Sequence, residues 1–212
     1  MKVSEIMDDA ILVQQPVATP DELILLFHGV GAQPADLVPL GHALARHKPL
    51  ACVVSVRSPE PSNLGRGWQW FSVVGVTEDN RPGRVAEAMP GFVEAVRHWQ
   101  RESGVGASGT TLIGFSQGAI MALESTQHAG GLAGTVVSIA GRFAVPPRTA
   151  PVGTRIHLMH GDADGVMPLR LAREAADALS RLQAEVTLDV FPGLGHGVDQ
   201  RVLATLVQRL QG

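Results

Sequence analysis

Cysteine is almost missing. Cys52 is the only one in the chain, so no intramolecular disulfide can form, and a chain without cross-links fits a reducing, cytoplasmic setting. Runs of lysine or arginine are missing too. The 17 basic and 20 acidic side chains leave a formal charge of −3, which removes the electrostatic case for nucleic acid. No window reaches the roughly 18 consecutive apolar residues of a membrane span. Residues 1–9 lack the positive start and unbroken apolar stretch of an export signal. No group of His, Cys, Asp and Glu has the spacing of metal ligands. These absences predict a soluble, unexported protein with no nucleic-acid partner, no integral membrane segment and no metal.

What remains is an ordinary apolar-leaning composition with many turn formers. A chain of 212 residues is predicted to be one domain, 1–212, long enough to bury a full core. Leu23–Phe27 is a short continuous apolar run that stops at the turn signal His28-Gly29-Val30-Gly31. The pattern recurs at Cys52–Val56, Thr110–Ile113, Thr135–Ile139, Ile156–Met159 and Val186–Val190, with Ala10–Val13 as an extra edge strand. Runs of this kind read as strands buried on both faces. Between them lie apolar stripes at helical spacing: Leu37, Leu40, Leu44; Val85 to Trp99, interrupted by Pro90; Leu171 to Leu182, with Pro168 near its start; and Val202, Leu206, Leu210. Pro90 predicts a kink or a late start for its helix. Strand and helix in alternation give an α/β class with a mostly parallel central sheet and helices on both faces. Ligands then bind beyond the carboxyl ends of the strands.

The connection from Arg57 to Arg84 is unusually long and holds Trp68, Trp70 and Phe71. Its side chains either plug a gap over the core or wall an apolar substrate pocket. Because the segment follows a strand's carboxyl end, the second reading is favoured, which makes these three residues candidate substrate contacts. Cys52, inside a strand, reads as a small core residue rather than a reactive thiol.

Gly114-Phe115-Ser116-Gln117-Gly118 directly follows one predicted strand and precedes the helical stretch Ala119–Leu123. That is the setting of a nucleophile elbow, where a tight strained turn lifts the serine hydroxyl above the sheet edge beside a helix N-terminus. A serine needs a base. Among the histidines after Ser116, only His196, held among glycines after the last strand, leaves room for an acid loop in between, in the order serine, acid, histidine. Asp162 and Asp164 both follow the strand Ile156–Met159. Asp164 is favoured because it sits better to face the next loop, while Asp162 can hold the turn. Asp189, within a strand, and Asp199, at a helix start, read as structural. An oxyanion needs backbone N–H donors; Gln117, right after the serine, and Val30, in the glycine-rich loop after the first central strand, are the candidates, with His28 bracing that loop.

Taken together, Leu26-Phe27-His28-Gly29-Val30-Gly31, Trp70-Phe71, Gly114-Phe115-Ser116-Gln117-Gly118-Ala119, His160 to Pro168 and Gly195-His196 resemble the carboxylesterase and acyl-protein-thioesterase (phospholipase/carboxylesterase) family of α/β-hydrolases. Gly75 to Arg81 makes the bacterial esterase branch the nearest likeness. The resemblance implies an α/β-hydrolase fold without a large cap domain, no cofactor, and small-molecule or lipid-like acyl esters or thioesters as substrates. It implies Ser116, Asp164 and His196 as triad, Val30 and Gln117 as oxyanion donors, and Trp70 and Phe71 near the acyl site. It also allows a homodimer. The chain departs from the family pattern with Ala119 after Gly118 and Met167 before Pro168, changes that bear on pocket shape. A lysophospholipase or peptidase of the same fold, and a non-catalytic binding protein on this scaffold, are the alternatives.

Overall fold

The structure is a computed structural model that describes residues 9–128 and 131–211. Residues 1–8, most of the stretch read above for an export signal, lie outside the described residues.

Seven strands form the central sheet in the order β1-β3-β2-β6-β7-β8-β9. They are β1 (Ile11–Gln14), β2 (Glu22–Phe27), β3 (Ala51–Val56), β6 (Thr110–Phe115), β7 (Thr135–Ile139), β8 (Arg155–Gly161) and β9 (Val186–Phe191). β1 runs antiparallel to β3 at the edge, and the other neighbours are parallel. Side chains alternate faces along a strand. Leu23, Leu25 and Phe27 of β2, with Cys52, Val54 and Val56 of β3, enter one core. Ile24, Leu26, Ala51 and Val53 enter the other. Helices α2 (Arg81–Ser103), α3 (Gln117–His128) and α4 (Leu169–Arg181) cover the first face. Helices α1 (Val38–His47) and α5 (Gln200–Arg209) cover the second. Both faces being buried explains why the strands are unbroken apolar runs.

Pro90 neither breaks α2 nor delays its start; the helix is continuous from Arg81. Pro90 and Ala86, whose carbonyl loses its helical donor, both lie on the exposed side, where water can satisfy the freed oxygen. The strands feeding the chemistry run further than their apolar cores. β6 takes in Gly114 and Phe115 by pairing with Ser138 and Ile139, and β8 takes in His160 and Gly161 by pairing with Val190 and Phe191.

The long 57–80 connection adds only a small hairpin, β4 (Glu60–Pro61) with β5 (Trp68–Gln69). Arg142, in the loop after β7, holds this connection with two bonds to Glu78, 2.9 and 2.6 Å. The Arg142 guanidinium chiefly, with Arg81 assisting, holds the Glu78 carboxyl down at about 2. Such a depressed carboxylate stabilises the fold above its ordinary range, and the contribution disappears as pH falls toward about 2. Glu78 is 66% exposed, so solvent screens most of it and Glu78→Gln should cost about 1 kcal/mol at neutral pH. Urea unfolding of both proteins should show that gap closing between about pH 5 and pH 2.

Candidate active site

Ser116 stands between β6 and α3 with φ of 53°, a left-handed conformation that costs a side chain-bearing residue free energy. Its N–H donates to the Ile139 carbonyl (3.0 Å) and its carbonyl accepts from Ile120 (3.1 Å). The turn is possible because its neighbours have no Cβ. A Cβ on Gly114 would run into the Ala119 backbone, and one on Gly118 into the Phe27 carbonyl. Gly118→Ala is therefore expected to destabilise the protein by about 3 kcal/mol or more. Gly91→Ala, in α2 with nothing within 4 Å of the new methyl, should stabilise by up to about 1 kcal/mol. Guanidinium melts of the two variants check the contrast.

The structure brings Ser116, His196 and Asp164 into one hydrogen-bonded chain. Ser116 Oγ lies 2.9 Å from His196 Nε2, and His196 Nδ1 lies 2.8 Å from Asp164 Oδ2. The other carboxylate oxygen, Oδ1, accepts the N–H groups of Val166 and Met167, each at 2.8 Å. Burial of Asp164 would by itself raise its pKa. The hydrogen bonds from His196, Met167 and Val166 outweigh burial and hold the carboxyl below its ordinary value. An ionised Asp164 must accept, so His196 carries its proton on Nδ1 and Nε2 is free to accept from the serine.

The other acids have different tasks. Asp162 accepts the Gly193 N–H at 2.6 Å and so pins the turn that carries His196. Asp189 pairs with Arg209, and Asp199 caps α5. His160, named above from sequence only as the start of a matched segment, is buried with Nε2 donating to the Met167 carbonyl (2.7 Å), 3.4 Å from Asp164 Oδ2. It helps hold the Asp164–Met167 turn. Nothing in its sequence position signals this, because the contact depends on how that turn closes.

The loop after β2 is held from two sides. Gly31 N–H donates to the Trp68 carbonyl and Trp68 N–H to the Ala32 carbonyl, both at 2.9 Å. His28 is buried, which lowers its pKa and keeps it neutral. Ser58 N–H donates to its Nε2 (3.3 Å), so Nδ1 donates to the Gly29 carbonyl (2.8 Å). Among the described residues no hydrogen bond engages Val30 N–H or Gln117 N–H. The Gln117 side chain ties the elbow to the long connection, accepting from Trp70 N–H (2.7 Å) and donating to the Phe71 carbonyl (2.8 Å).

Of the aromatic residues of that connection, Trp70 and Phe71 are buried and also border a cleft of about 630 Å³ with Ser72, Val74 and Arg84. Trp70 packs on Phe27 and Phe92 in the core, ring centroids 6.1 and 5.0 Å away, and Phe71 is buried with it. Trp68 lies under the Arg57 guanidinium, 3.9 Å from its ring centre. Their backbones, not their rings, reach the elbow and the Val30 loop. A second, apolar cleft beside Ser116, about 590 Å³, is walled by Leu37, Leu40, Phe115, Val198 and Leu203, with His28 and Gly29 at its inner end. A Cβ on Gly29 would lie 3.2 Å from the Ser116 Cβ and 3.3 Å from the Phe115 ring. The Phe115 ring centre lies 5.1 Å from that of His196.

Residues 8–211 match the family model described as phospholipase/carboxylesterase. Esterase YpfH of Escherichia coli (strain K12) is 48% identical over 203 residues, covering 96% of this chain and 88% of that protein. Acyl-protein thioesterase 1 of Gibberella zeae is 31% identical over 103 residues, 45% of this chain and 44% of that protein. The crystal structure of esterase PE8 superposes with a TM-score of 0.85 at 26% identity, covering 93% of this chain and 95% of that one.

Proposed function

The chain belongs to the phospholipase/carboxylesterase family and has the α/β-hydrolase fold, and from that premise we propose that it hydrolyses carboxylic esters and thioesters through an acyl-enzyme formed on Ser116. The observation that supports this most directly is the unbroken hydrogen-bonded chain from Ser116 Oγ through His196 to Asp164. His196 Nε2 takes the proton from Ser116 as Oγ attacks the acyl carbonyl carbon. The carbonyl oxygen becomes an oxyanion, held by the N–H groups of Val30 and Gln117. When the tetrahedral intermediate collapses, the bond to the alcohol or thiol breaks and His196 returns the proton to the leaving atom. Water, deprotonated by His196, then attacks the acyl-enzyme, and Ser116 recovers its proton as the carboxylic acid departs. Asp164 fixes the histidine tautomer and stabilises the imidazolium formed at each proton transfer. The strained Ser116 backbone fits this task, since such strain collects at reactive turns.

A fluorophosphonate probe tests the reading. It should label the protein one to one, with the added mass on the peptide that bears Ser116, and Ser116→Ala should take no label. A protein that stays unlabelled while folded would be a binding protein on a hydrolase scaffold.

A further inference from the structure

We propose that the cleft beside Ser116 receives the alcohol or thiol half of the substrate and selects uncharged, apolar leaving groups. The proposal rests on the triad reading above. In that reading the leaving atom must collect its proton from His196 Nε2, so the leaving group departs on the histidine side of the serine. The cleft lies on that side. One wall is Phe115, whose ring centre is 5.1 Å from that of His196. Another is formed by Val198, Asp199, Gln200 and Leu203, where the His196 loop continues into α5. Gly29 joins the cleft to the reacting centre, because its missing Cβ leaves the path between Phe115 and Ser116 open.

The lining sets the chemistry. Leu37, Leu40, Phe115, Val198 and Leu203 supply an apolar wall, and about 590 Å³ suits a small organic group. Among the described residues no lysine or arginine borders the cleft. Its ionisable members are His28, held neutral by burial, and the carboxylates Asp36 and Asp199. Asp199 is offset by Arg201 and by the N–H groups it caps, whereas the exposed Asp36 receives, among the described residues, only the Gln33 N–H. A phosphate-bearing leaving group, such as coenzyme A or a glycerophosphodiester, would give up hydration there and meet a carboxylate instead of a cation. An alkyl or benzyl alcohol would bury its carbon atoms at no such cost.

The test compares two ester series, with kcat/KM as readout. In the first, acetate is the constant acyl group and the alcohol runs from methyl to hexyl and benzyl. In the second, p-nitrophenol is constant and the acyl chain runs from two to twelve carbons. For the wild type, each added alcohol methylene should raise kcat/KM about fourfold until the cleft is filled. Leu40→Trp, and independently Leu203→Trp on another element of the lining, should cut the hexyl-to-methyl ratio by about fifteenfold or more, the worth of two to three methylenes. The shape of the acyl-length profile should not change. Either half-exposed wall position admits the larger ring, and circular dichroism confirms the fold. Acetyl-coenzyme A should be a poorer substrate than hexyl thioacetate.

If the two variants reshape the acyl-length profile instead, the cleft holds the acyl chain. If they alter neither profile, or acetyl-coenzyme A is preferred, the cleft does not select the leaving group. Each of these outcomes overturns the proposal while fluorophosphonate labelling of Ser116 still stands. Loss of labelling would instead bring down the triad reading beneath it.

Discussion

Ser116→Ala should lower kcat for p-nitrophenyl butyrate by about four to six orders of magnitude, with the fold intact. The size follows from what is removed. On the proposed mechanism no acyl-enzyme can form without Oγ, and His196 is left as a base with nothing to activate except water. The proposed oxyanion donors and the binding surface remain, and on unrelated folds such remnants retain only about 10³–10⁴ over the uncatalysed rate. Stability should hardly move for alanine, because it also carries a Cβ into the conformation with φ of 53°. Ser116→Gly would relieve that strain and should raise stability by about 1 kcal/mol while being as inactive as the alanine variant. A protein that becomes more stable as it loses its reactive group has been holding that group at a cost. Residual kcat above about a hundredth of the wild type in purified Ser116→Ala would place the nucleophile elsewhere, since a triad serine accounts for far more than that.

The layered architecture was legible because its signal is repeated. A strand buried on both faces must be apolar throughout, and six such runs separated by helical stripes leave little choice of fold class. The three residues of the hydrogen-bonded chain could be picked out for a related reason: each follows a strand, so Ser116, Asp164 and His196 are ordered by the sheet before any side chain is placed. The choice between Asp162 and Asp164 was legible only as a preference, and the distances give it a physical ground. Asp162 spends its oxygen on Gly193 N–H, while Asp164 meets His196. For the 57–80 connection the sequence left two readings, a plug over the core and a pocket wall, and Trp70 and Phe71 have features of both, since they join the core and also border a cleft. Aromatic rings in a long loop suggest a pocket wall, but Trp70 completes a three-ring contact with Phe27 and Phe92 whose partners are distant in sequence. The walls of the cleft beside Ser116 come from α1, α5 and Phe115, and their leucines carry the same spacing as ordinary core positions. Periodicity tells that a helix has an apolar face; it does not tell whether a neighbouring element covers all of it. His160 and the Gln117 amide were hidden for the same reason, since their partners are backbone groups brought near only by the closed fold.

Asp164→Asn is expected to reduce kcat by about 10⁴, far more than its removal of one charge would suggest. The amide is nearly isosteric with the carboxylate, so the effect comes from donors and acceptors. Oδ1 accepts from Val166 and Met167, and Oδ2 accepts from His196. An amide has one acceptor atom for these two places. With its oxygen toward the two backbone donors, its NH₂ faces His196 Nδ1, which must then give up its proton and become the acceptor. The proton moves to Nε2, where it points at Ser116, and the base is lost. The same NH₂ also meets His160 Nε2, 3.4 Å away in the wild type and already a donor to Met167. If the amide turns over, its NH₂ collides with the two backbone donors and the turn opens. Asp162→Asn is the control, because an amide oxygen can still accept from Gly193; its kcat should stay within about tenfold of the wild type. Stability should separate the two in the same direction. The depressed Asp164 carboxyl contributes stability above the ordinary carboxylate range, and this is lost as pH falls through its lower folded value. The stability gap between wild type and Asp164→Asn should therefore be widest near neutral pH and narrow in acid. Steady-state kinetics on both variants decide the assignment: a large loss at Asp162 with a small one at Asp164 would exchange their roles.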